Sequence, residues 1–181
     1  NLIYLARPCQ YIKTDDNACP SKYWQDSRFA PEILDSYDAA LNEIKARYDI
    51  TDFHLIGFGG GGAIAAMLSG QRDDILSLRT VAGNLNHKFV TSHLNVPPLE
   101  GSMNPLDIAP HIAHLPQMHF IGGADATITP GVYHSFRQAM GASSCIQYSL
   151  IQDADHTLGW VEKWPSLLKV TPKCSAPLTE D

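Results

Sequence analysis

The chain has 181 residues, 44% of them hydrophobic and 18% charged, and a formal net charge of −6. That length and apolar content suit one core of ordinary size, so residues 1–181 are expected to form a single domain. Its 13 Lys and Arg are scattered, which gives no basic footprint for nucleic acid and no polybasic stretch for a membrane surface; no apolar run approaches the about 20 residues of a transmembrane segment.

The first apolar run, Leu2 to Ala6, follows Asn1 directly and reads as a core strand with no initiator methionine or signal peptide before it. An upstream segment of the same gene is therefore expected to complete the sheet. Cys9 and Cys19 then bracket a polar, turn-rich loop in which a local bridge closes easily, which would leave Cys145 to pair with Cys174. Three pairings and four free thiols all remain open at this point. No Cys-x-x-Cys or His/Cys cluster suggests a metal site.

After Pro31, a favourable residue for a first helical turn, Ile33, Leu34, Tyr37, Leu41, Ile44 and Tyr48 recur at three- and four-residue spacings, which predicts an amphipathic helix. Phe53 to Gly57 is the second strand, and the small apolar stretch Ala63 to Leu68 is a helix suited to close packing on a sheet. Leu78 to Ala82, Met118 to Ile121 and Ile146 to Leu150 are three further strands. Pro130 to Met140 and Leu158 to Leu168 read as helices, the latter kinked or restarted at Pro165. Strict alternation of strand and helix calls for an α/β fold, a doubly wound parallel sheet covered on both faces. Asn84 to Pro105, with Pro97, Pro98 and Gly101, shows no period and is expected to be a long loop.

Between the second strand and its helix lies Gly57-Phe58-Gly59-Gly60-Gly61-Gly62. Gly57, Gly59 and Gly62 satisfy the dinucleotide pattern G-x-G-x-x-G, yet the following strand, ending Val81-Ala82-Gly83-Asn84, carries no carboxylate for a ribose, and Asp73 and Asp74 precede it. The same run fits G-x-S-x-G at every position but the nucleophile, with Gly57, Phe58 and Gly61 around Gly59. Such an elbow turns so sharply from strand to helix that its flanking positions exclude a Cβ. Downstream, Asp125 ends the fourth strand within Ile121-Gly122-Gly123-Ala124-Asp125, and Asp153-Ala154-Asp155-His156 follows the fifth. Each thus falls at the carboxyl end of a strand, where open α/β sheets bind ligands, in the order nucleophile, acid, histidine. Taken singly, Asp125, Asp153 and Asp155 read as turn formers and His156 as a loop residue; His111 and His114 lack a zinc-helix motif and read as surface residues.

Together, Phe53-His-Leu-Ile-Gly-Phe-Gly-Gly-Gly-Gly-Ala-Ile-Ala-Ala, Phe-Ile-Gly-Gly-Ala-Asp125 and Asp-Ala-Asp-His156 resemble the α/β-hydrolase superfamily, most of all its bacterial serine esterase or lipase-like members. The resemblance spans Leu2 to Leu168, with the strands that normally precede Leu2–Ala6 missing from this chain. It implies a serine hydrolase acting on small-molecule or lipid carboxylic esters without a cofactor. In that pattern Asp125 is the acid, His156 the general base, Gly60 an oxyanion-hole donor, and Gly59 stands in the nucleophile's place. Arg7-Pro8-Cys9-Gln10-Tyr11 resembles what exported members carry, which implies a periplasmic or secreted protein. Glycine has no oxygen to attack with, so the chain is expected to be inactive as a serine hydrolase. The alternatives are a non-catalytic binding protein on the same fold and, further off, a Rossmann-type dinucleotide-binding protein.

Overall fold

A computed structural model describes residues 2–11 and 19–175 of the chain. Its framework is a four-stranded parallel sheet in the order β1-β2-β3-β4, formed by Phe53–Phe58, Ile75–Val81, Gln117–Gly122 and Ile146–Ile151. The register aligns Phe58 with Val81, Val81 with Phe120, and Gly122 with Ile151, so the carboxyl ends of all four strands share one rim. Helices α1 (Pro31–Tyr48), α2 (Gly60–Gln71), α3 (His87–His93), α4 (Pro105–Ile108), α5 (Pro130–Ala139) and α6 (Trp164–Leu167) connect and cover the strands. Among the described residues no helix is long and apolar enough to cross a membrane.

The central helix α2 is almost wholly buried, and its composition explains how. Ala65 and Ala66 pack on the sheet side with Leu78, Ile121, Val132 and Phe136, while Ala63, Ile64, Met67 and Leu68 meet Ile33, Leu34 and Leu41 of α1. The face predicted for α1 is the one buried, except that Tyr48 at its last turn is exposed. Asp49 adopts the left-handed conformation there (φ 50°) and stops the helix.

The opposite face of the sheet is covered only in part. Trp160, Trp164 and Leu167 lie on Val81, Met118 and Phe120, and Arg79 Nε donates to the Val170 carbonyl at 3.1 Å to hold that segment down. On β1 the same face leaves Ile56 and Phe58 exposed. Two disulfides, Cys9–Cys19 and Cys145–Cys174, join the cysteines in the expected pairs, the second tying the C-terminal segment to the start of β4.

Three expectations are corrected. Leu2 to Ala6 is not a strand: it lies outside every ladder and exposes its apolar side chains, Leu2 by 70% and Tyr4 by 87%. A strand is stable only against a partner, and no described segment occupies the outer edge of β1. The stretch from Asn84 to Pro105 contains α3, capped by Asn86, whose side-chain oxygen accepts from Phe89 N–H at 3.2 Å. Conversely, the helix expected over Leu158 to Leu168 shrinks to Trp164–Leu167, with Pro165 in its first turn; in the turns before it only Trp160 packs on β2 and β3 while Leu158 and Val161 are exposed, so no apolar helical face runs through them.

Candidate active site

β1 and α2 are joined by one residue, Gly59, at φ 51° and ψ −117°. That region is strained for any side chain and natural to glycine. The Gly59 N–H donates to the Val81 carbonyl at 2.9 Å, while its own carbonyl accepts from Gly62 at 3.1 Å and from Asn84 at 3.0 Å. The turn is thus fixed to the end of β2 on both sides. Gly57 lies so close beneath α2 that a Cβ there would stand 2.2 Å from the Gly61 carbonyl oxygen, and a Cβ at Gly62 would stand 2.9 Å from the Gly83 Cα. At Gly61 a Cβ would meet nothing within 4 Å. The steric demand therefore falls on Gly57 and Gly62, which corrects the expectation for Gly61: that position has already turned outward on the first, exposed turn of α2.

Asp125 and His156 reach the same rim from β3 and β4. Their loops are tied together by backbone bonds from Gly123 N–H to Ile151 (2.8 Å) and from Ala124 N–H to Ala154 (3.0 Å). The two carboxylate oxygens of Asp125 have separate partners. Oδ1 accepts from Thr127 N–H at 2.8 Å and Ile128 N–H at 2.7 Å, closing the turn ahead of α5, while Oδ2 stands 2.9 Å from Nδ1 of His156. The Asp125 side chain is fully buried and that of His156 is 33% exposed, so the pair faces solvent only through the imidazole.

The His156 loop is shaped by its neighbours. Asp155 Oδ1 accepts from Thr157 N–H and Leu158 N–H, two backbone bonds that hold its carboxyl below the usual range, and its carbonyl accepts from Trp160 Nε1 at 2.9 Å. Asp153 points away to an ion pair with Lys163. Of the three carboxylates flagged near this histidine, the structure brings only Asp125 to the ring. His111 and His114 are exposed and distant from this arrangement in the chain's fold, on the segment that precedes β3.

Nε2 of His156 faces the elbow. A Cβ built on Gly59 would lie 3.5 Å from Nε2 and 3.6 Å from Cε1, with no other non-neighbouring atom within 4 Å. Gly60 opens α2, so its N–H precedes the intrahelical ladder at the positive end of the helix dipole. Two aromatic rings flank this point. Phe58 lies against His156 with ring centroids 5.5 Å apart, and the buried Phe29 would touch a Cβ at Gly60 at 3.5 Å. Phe29 is anchored by Ser102 Oγ, which accepts its N–H at 3.1 Å, and by Met103 N–H, which donates to its carbonyl at 3.0 Å. Sequence reasoning missed Phe29: it precedes α1 with no motif around it, and only the return of the 99–103 loop brings it to the elbow. Asp74, which follows the glycine run just before β2, sits at the other end of that strand and binds Lys45 and Arg72.

No family model matches the sequence, and no curated protein matches it. Solved structures do match in shape. An esterase of Pyrococcus furiosus aligns at 15% identity and a TM-score of 0.64, over 77% of this chain and 60% of its own. A proline iminopeptidase of Mycobacterium smegmatis aligns at 11% identity and 0.60, over 82% and 70% of the respective chains. An α/β-hydrolase from a marine-lagoon sediment metagenome of Mar Chica, Morocco, aligns at 16% and 0.57, over 75% and 67%. At such identities the likeness establishes the fold, which is that of the α/β-hydrolases, and the chain spans less than two thirds of the esterase.

Proposed function

We propose that this chain carries a carboxylic ester site of the serine-hydrolase type in which the nucleophile's place is held by Gly59. One observation carries the reading. His156 has Asp125 at 2.9 Å on one ring nitrogen and the side-chain position of residue 59 at 3.5 Å on the other, the spacing of an acid, a base and an attacking group. In this reading Asp125 fixes the imidazole's tautomer, His156 moves the proton, and Gly60 N–H stabilises the oxyanion. Phe58, exposed beside the imidazole, supplies an apolar wall against which an ester, small or lipid-like, would lie. The fold of the neighbours accords with it. The two disulfides accord with an oxidising, extracytoplasmic compartment.

Gly59 itself favours a second reading, a binding protein that holds an ester without acyl transfer. Gly59→Ser separates the two. The triad reading expects a serine at 59 to be labelled covalently by an organophosphate, with the label lost when His156→Ala is added. Removing a triad serine costs on the order of a millionfold in turnover, so its restoration should stand far above background. A folded Gly59→Ser protein that takes no label and hydrolyses no short-chain aryl ester leaves the binding-protein reading in its place.

A further inference from the structure

Glycine at the elbow removes the attacking oxygen but leaves Asp125, His156 and Gly60 N–H together at the rim, with the imidazole partly exposed. The side chain that glycine omits, one methylene and one hydroxyl, has about the volume of a single water, roughly 30 Å³. A Cβ at this position would stand 3.5 Å from Nε2 and 3.6 Å from Cε1 of His156, with no other described residue beyond the chain neighbours within 4 Å, so whatever occupies the place of the omitted hydroxyl meets Nε2. Nδ1 of that ring stands 2.9 Å from Asp125, and a third of the His156 side chain is exposed, so water reaches the imidazole. A water bound to Nε2 beside Gly59 lies next to the start of α2, where Gly60 N–H precedes the intrahelical ladder.

We infer that this protein, with Gly59 as it stands, is a single-displacement ester hydrolase in which His156 activates water directly and no acyl-enzyme forms. The inference rests on the site reading given above. The water oxygen attacks the ester carbonyl carbon while one of its protons passes to Nε2. The carbonyl electron pair moves onto oxygen, where Gly60 N–H receives it. The tetrahedral species then collapses, the carbon–oxygen bond to the alcohol breaks, and the imidazolium returns its proton to the departing alkoxide. One ester and one water give one acid and one alcohol, with no external reactant. The route favours esters with good leaving groups, because water in this position is a weaker nucleophile than a triad serine.

The test uses the full chain with an aryl acetate. Catalysis above the roughly thousandfold over water that an oxyanion hole and binding supply without any triad side chain is expected. The time course should show no initial burst, an organophosphate should leave the rate unchanged, and D₂O should slow it. His156→Ala, and His156→Gln as a second variant with circular dichroism to check folding, should both fall to no more than that residual level. A Gly59 protein at the buffer rate beside an active, labelled Gly59→Ser protein overturns the water mechanism and leaves the site reading intact. If both are inert, the site reading falls and this inference with it. Activity left unchanged by both His156 substitutions, or a burst from the Gly59 protein, overturns the mechanism as well.

Discussion

Asp125 performs two tasks with two oxygens, and two substitutions separate them. Asp125→Ala removes both acceptors, stranding the Thr127 and Ile128 N–H groups and the His156 Nδ1 proton. A buried donor left without a partner costs about 1–3 kcal/mol. Ile128 is buried and Thr127 is partly open to water, so the expected loss is about 2–4 kcal/mol. For a chain of this size that is a fall in Tm of roughly 5–15 °C. Asp125→Asn keeps an Oδ1 for both backbone donors and places an amide opposite Nδ1, so its stability loss is about 1–2 kcal/mol, mostly from replacing charged by neutral hydrogen bonds. The amide nonetheless favours the wrong tautomer of His156. In the Gly59→Ser background Asn should therefore lower kcat by about 10⁴, as the equivalent change does in a serine protease triad, while the protein remains folded. Thermal denaturation and aryl-ester kinetics on the three proteins measure both effects. An Asn variant as active as its Asp parent, or an Ala variant with unchanged Tm, would refute the division of labour between Oδ1 and Oδ2.

The elbow makes a sharp contrast between neighbouring glycines. Gly57→Ala drives a Cβ into the Gly61 backbone and should destabilise by about 3 kcal/mol or more, whereas Gly61→Ala, in open space on the first turn of α2, should stabilise by about 0.5–1 kcal/mol; urea midpoints would reverse this order if the turn were loosely packed. Stability should also fall with acid in two stages. Burial pushes His119 from 6.5 down to about 3, so the unfolded chain takes up a proton that the folded one refuses, and stability complete above pH 6.5 declines by up to about 1.4 kcal/mol per unit below it. Arg72 and then Lys45 hold Asp74 near 2 instead of 3.8, so its contribution, about 1–2 kcal/mol after solvent screening, is present above pH 4 and lost towards pH 2. Denaturant titrations from pH 7 to 2 should show both limbs, with the lower one reduced in Asp74→Asn, and a flat profile between pH 6.5 and 4.5 would contradict the burial of neutral His119. Peptide mapping without reductant should recover Cys9–Cys19 and Cys145–Cys174, and reduction should lower stability by about 2–4 kcal/mol per bridge; four alkylatable thiols in the native protein would count against the extracytoplasmic reading.

What the sequence by itself determined were the features written in neighbouring residues. Strand-helix alternation, the buried face of α1, the glycine turn after β1 and the placement of Asp125 and His156 after β3 and β4 all follow from local periodicity and turn chemistry. Parallel strands then bring their carboxyl ends to one rim, which is why residues far apart in the chain could be grouped before any contact was seen. Tertiary structure decided whatever depends on a partner. Leu2 to Ala6 has strand composition but no ladder to join, and α3 exists because Asn86 and Asn104 cap and brace a stretch whose own pattern is weak. Asp125 rather than Asp155 or Asp153 meets the imidazole because the two loops are tied by backbone bonds that composition does not reveal. Gly62 rather than Gly61 is confined because the close contact comes from Gly83 at the end of β2. Phe29 reaches the elbow only through the loop around Ser102 and Met103, a contact between segments more than 70 residues apart that no local signal encodes.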